Sequence, residues 1–116
     1  MELRWTVIRA AAAVLGIVVS STAGASVAWQ GTLSAPHFMA TGIVLINTSG
    51  SRANVPSCGG GQPTRFAFDS TTPAGKSQLA GILTAFASGK QVVIVGNDTC
   101  SAYPDSETLN YFYIYD

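Results

Sequence analysis

TPAGKSQLAGILTAFASGKQVVIV, running from Thr72 to Val95, decides how this chain folds. Leu79, Ile82, Leu83 and Phe86 recur at i, i+3, i+4 and i+7, which predicts one apolar stripe along a helix. Thr72 offers a capping hydroxyl, and Pro73 follows at the first helical position, where its missing N–H is no loss. Gly89 predicts a left-handed stop, and Lys90 beside it suits the negative end of the helix dipole. Gln91–Val95 reads as a buried β-branched strand bounded by Gly96 and Asn97. So short an amphipathic helix does not stand alone in water, so its stripe must plug a sheet built from the rest of the chain.

The remaining segments supply that sheet. Val27–Leu33 is a first strand anchored by Trp29, and Ser34–His37, with Pro36, reads as a loop. Met39–Asn47 is a second strand, in which Gly42 predicts a bulge. Thr48–Arg52 is a turn, and Ala53–Cys58 begins a returning strand. Gly59-Gly60-Gly61 interrupts it as a flexible loop; it lacks the lysine and Ser/Thr of a phosphate-binding loop. Thr64–Asp69 resumes the strand, and Glu107–Tyr115 ends the chain with Leu109, Tyr111, Tyr113 and Tyr115 on one face. The fold class is therefore mainly β with one helix, in the order β-β-β-α-β-β. That order favours a five-stranded OB-fold-like barrel over an α+β sheet or a swapped-strand sandwich.

Arg4 and Arg9 precede the apolar run Ala11–Val19 and the small residues Ala23-Gly24-Ala25, the order of a secretory signal peptide. The run is well short of the ~20 residues that span a bilayer, so no membrane anchor is expected after cleavage. Residues 1–25 form the leader and 26–116 one domain, with a cut after Ala28 as the alternative offered by Ser26-Val27-Ala28. After residue 25, Arg52, Arg65, Lys76 and Lys90 face Asp69, Asp98, Asp105, Glu107 and Asp116, a net charge of −1. Four scattered cations do not neutralise a phosphate backbone, which disfavours nucleic acid. Cys58 and Cys100 lack the CxxC spacing and nearby histidines of a redox or metal pair, and export is oxidising, so they read as a structural disulfide. The expected address is secreted or periplasmic.

The strand Trp29-Gln30-Gly31, the segment Phe38-Met39-Ala40-Thr41-Gly42-Ile43-Val44 and the helix-to-strand passage Leu83–Val95, with Gly89-Lys90-Gln91-Val92, carry a resemblance. The chain resembles the exported OB-fold B subunits of bacterial AB5 toxins, of the subtilase-cytotoxin and typhoid-toxin type. The resemblance implies glycan binding, a homo-oligomeric ring and a catalytic partner. It also implies that Thr41 stands where those subunits use a serine hydroxyl to hold sialic acid.

Residue by residue, no reaction assembles. His37 is the only histidine, beside Pro36 and Phe38, and no Ser/His/Asp arrangement accompanies it. Asp98, Asp105 and Glu107 neighbour turn residues and read as solvated carboxylates rather than a glycosidase pair. Neither a cofactor nor a metal is expected. Tyr103, in a loop, reads as a ligand contact, as does Phe38; Tyr111, Tyr113 and Tyr115 divide between core and surface contact. The expectation is a non-enzymatic binding module for a glycan or protein partner, with Thr41, His37, Phe38 and Tyr103 as ligand contacts. The alternative is an exported structural or inhibitor-like domain acting through a single protein contact.

Overall fold

A computed structural model describes residues 26–115, and the leader expected over 1–25 lies outside the described residues. Seven strands and one α-helix follow in order: β1 Val27–Gly31, β2 Leu33–Phe38, β3 Ile43–Thr48, β4 Arg52–Ala53, β5 Arg65–Asp69, α1 Pro73–Ser88, β6 Gln91–Gly96 and β7 Glu107–Tyr115. The fold is mainly β.

Helix α1 begins and ends where its sequence signals stand. Thr72 Oγ1 accepts the Gly75 N–H at 2.8 Å, and Gly89 stops the helix in the left-handed conformation at φ 68°. Its buried face is not the expected stripe. Ile82 and Ala85 are fully buried with Leu79 packed beside them, whereas Leu83 and Phe86 are 40% and 42% exposed. Two glycines explain the rotation. A Cβ on Gly75 would lie 1.8 Å from the Asp69 carbonyl oxygen, and one on Gly81 would lie 2.7 Å from the Phe112 ring. The helix therefore settles on its small-residue side, and the larger Leu83 and Phe86 turn outward.

The strands form one mixed sheet in the order β2-β3-β5-β7-β6-β1-β4, with only β5 and β7 parallel. It is not closed into the expected five-stranded barrel, because the end strands β2 and β4 are not paired with each other. Thr32 divides the expected first strand, sending β1 to β6 and β4 and β2 to β3. Pairing nevertheless continues past the break: Thr32 O accepts the Ser49 N–H, and Ser51 O the Trp29 N–H. Thr48–Arg52 consequently does not reverse the chain but carries it along β1 as β4. Gly31 and Gly50 allow this contact, since a Cβ on Gly31 would lie 2.1 Å from the Gly50 nitrogen. The expected returning strand at Ala53–Cys58 is only Arg52–Ala53, followed by a 3-10 turn at Ser57–Gly59.

The expected loop Ser34–His37 lies within β2, which tolerates Pro36 because it ends the sheet. Gly42 makes the tight turn into β3 at φ 90° rather than a bulge. Phe66, Phe68, Ile46, Val44, Ile94, Val92 and Leu109 meet Ile82 and Ala85 in the core.

Cys58 and Cys100 form the expected disulfide, with Cα atoms 6.2 Å apart and a sequence separation of 42. Closing a loop of that length stabilises the fold by about 3–4 kcal/mol in chain-entropy terms. Urea unfolding with and without reductant should differ by that amount. Gly75→Ala should lower stability by about 1–3 kcal/mol in the same assay, through the clash with Asp69, although helix propensity alone favours alanine by about 1 kcal/mol.

Candidate functional site

Three of the four expected ligand contacts share one corner. His37 and Phe38 end β2, and Thr41 sits in the turn to β3, all exposed. His37 Nδ1 lies 2.8 Å from the Ala35 carbonyl, and Phe38 is 58% exposed. The turn is held by the Met39 N–H to Ile43 O and the Gly42 N–H to Met39 O. Ser70 docks it onto the approach to α1, its hydroxyl donating to Gly42 O at 2.6 Å. Tyr103 is elsewhere. It stands half-buried beside the Arg65 guanidinium, 5.9 Å from the ring centre. Arg65 pairs with Asn47, whereas the Thr41 turn adjoins Ile43. Four strand residues separate the two places, about 13 Å.

A different surface gathers Trp29, Tyr111, Tyr113 and Tyr115. Gln91, Val93 and Val95 of β6 pair with Tyr115, Tyr113 and Tyr111 of β7, so these side chains share a face. The register shifts between Val95 and Gly96, where Leu109 is the next partner, leaving Asn110 as an extra residue. The bulge breaks the alternation expected for this strand: Leu109 and Phe112 both pack on the core, and all three tyrosines turn out. A second register shift, between Ala28 and Gly31, sets Trp29 and Gln30 opposite Val93 on that outer face. Trp29, expected to anchor the first strand, is 54% exposed, with Tyr111 at 52%, Tyr113 at 51% and Tyr115 at 40%. Val93 between them is only 3% exposed. No sequence signal separates this row from a core strand except the bulge itself, and Asn110 carries no marker of one.

A groove of about 380 Å³ opens where β5 and β7 part beyond the Ala67–Thr108 pair. Phe68, Asp69, Thr72, Gln78, Thr108 and Asn110 line it, and Gln78 Nε2 donates to Asn110 O at 2.9 Å. None of the expected ligand contacts lines it.

Of the acidic residues expected to be solvated, Glu107 is fully buried. Its carboxylate accepts from the Ser26 hydroxyl and the Asp98 N–H and is ion-paired with Arg52. Arg52 also donates to Pro63 O and lies over the Phe66 ring, 3.9 Å from its centre. Burial pushes the Arg52 guanidinium down from its ordinary value, while the hydrogen bond and charge of Glu107 oppose that shift. This is a structural knot that joins Ser26, Arg52, Asp98 and Glu107. Asp105 is instead half-exposed, and the Arg65 hydrogen bond, with one from Ser106, holds its carboxyl below the usual aspartate value. Among the described residues no group of three His, Cys, Asp or Glu side chains could hold a metal ion.

Glu107→Ala should cost about 3–5 kcal/mol in urea unfolding, because it leaves Arg52 as an uncompensated buried charge. The Asp105 contribution is present above the unfolded aspartate value, about 3.9, and is lost as pH falls through the lower folded value. Asp105→Asn should therefore flatten the acid limb of a stability-against-pH curve, with no change near neutrality in its slope.

Comparison of the chain with protein-family models, with curated proteins and with solved structures returns no match, so the geometry alone bears on what this surface binds.

Proposed function

We propose that this chain is an exported, non-enzymatic binding module, built on an OB-type sheet, that recognises a glycan through the outer face of β1, β6 and β7. The observation that carries this reading is the row of exposed Trp29, Tyr111, Tyr113 and Tyr115. Flat aromatic faces with polar tips stack on sugar rings and keep hydrogen-bonding groups at the rim. Support for the OB-type reading comes from the chain-adjacent β1 and β2, which pair at opposite ends of the sheet. Counted as one coiled strand, with β4 as the continuation of β3, they leave five strands, and α1 falls between the third and fourth. The disulfide accords with an oxidising compartment outside the cytoplasm, secreted or periplasmic.

The toxin-subunit resemblance implies a contact at Thr41, in the corner that also holds His37 and Phe38, instead of on the aromatic face. Glycan-array binding with two variants separates the two. Tyr113→Ala should abolish binding, while Thr41→Ala leaves it and the melting temperature unchanged. The reverse pattern moves the site to the β2–β3 turn. A clean negative across sialylated and neutral glycans removes the carbohydrate reading in favour of a single protein contact.

A further inference from the structure

We infer that the chain is processed at the bond preceding Ser26, and that a cut after Ala28 does not leave a stable fold. The inference rests on the leader reading of residues 1–25. By residue type alone, Ala23-Gly24-Ala25 and Ser26-Val27-Ala28 are both acceptable to a signal peptidase.

The fold tells them apart. Ser26 is fully buried, its hydroxyl donates to the Glu107 carboxylate, and its carbonyl accepts the Gly96 N–H at 2.9 Å. Arg52 Nη2 reaches the same hydroxyl at 3.2 Å. Ala28 is fully buried in the core. Val27 and Ala28 make both registered pairs between β1 and β4. They also make two of the three registered pairs between β1 and β6. A cut after Ala28 would thus remove the partner of the strand that carries Arg52. It would also take a hydrogen-bond donor from the Glu107 carboxylate. A cut before Ser26 keeps all of these interactions.

The full chain, produced in an exporting bacterium, gives the test through the intact mass of the exported protein. The expected mass is that of residues 26–116 with one disulfide. A protease-resistant product beginning at Trp29 overturns the inference, and a product that retains Met1 overturns the leader reading beneath it. A second arm uses Ala25→Leu, which places a large residue where the first cut needs a small one. Exported protein should then fall well below the wild-type level, and any product beginning at Trp29 should melt at least ~5 °C lower. Wild-type yield and melting temperature for that product would contradict the inference.

Discussion

Glu107 is a carboxylate shut away from solvent in a small domain, and its contacts bring four separate parts of the chain together. Ser26 precedes β1, Arg52 opens β4, Asp98 lies in the β6–β7 connection and Glu107 itself starts β7. Desolvating such a pair costs several kcal/mol per ion, which is recovered only when the geometry and the additional hydrogen bonds are in place. The knot therefore acts less as a source of raw stability than as a lock on one arrangement. A slip of β4 or β7 by one residue would strand a charge, and a slip of β1 would withdraw the Ser26 hydroxyl.

That lock sits where the backbone ladder is shortest, with two registered pairs between β1 and β4 and two between β5 and β7. The sheet ends at β2 and β4 without pairing them. Arg52 reaches from the β4 end to the Pro63 carbonyl and the face of Phe66, so side chains hold what the ladder leaves open. The chain leaves β5 at Asp69, and α1 then covers the core with Ile82 and Ala85 against Val92, Ile94 and Phe112. Close approach there depends on Gly75 and Gly81, whose missing side chains admit a carbonyl and an aromatic ring. The disulfide ties the 3-10 turn after β4 to the β6–β7 connection, close in sequence to Arg52 and Asp98.

What was legible in the sequence was local. Thr72, Pro73 and Gly89 mark the helix ends because caps follow from a few neighbouring residues. The β-branched run of β6, the limits of β7 and the pairing of the two available cysteines were readable for the same kind of reason. The misreadings all depended on tertiary context. Glu107 reads as solvated because carboxylates almost never lie fully buried unless paired, and its partner Arg52 is 55 residues away. Pro36 reads as a loop until β2 is known to end the sheet. Trp29 reads only as the anchor of its strand, and the tyrosines of β7 as divided, until register shifts reset which side faces in. The aromatic face follows from those two shifts. Of the expected ligand contacts, the β2–β3 turn holds His37, Phe38 and Thr41 together, and Tyr103 joins Arg65 instead.

The central physical claim is that Arg52 and Glu107 act as one unit in holding β1, β4 and β7 together. A double-mutant cycle measures this directly, with urea unfolding of Arg52→Ala, Glu107→Ala and the double variant. The account predicts strong non-additivity, with a coupling above about 1 kcal/mol and a double variant less damaged than the sum of the singles. Effects that add to within about 0.5 kcal/mol would mean the two charges are independent, and would contradict it.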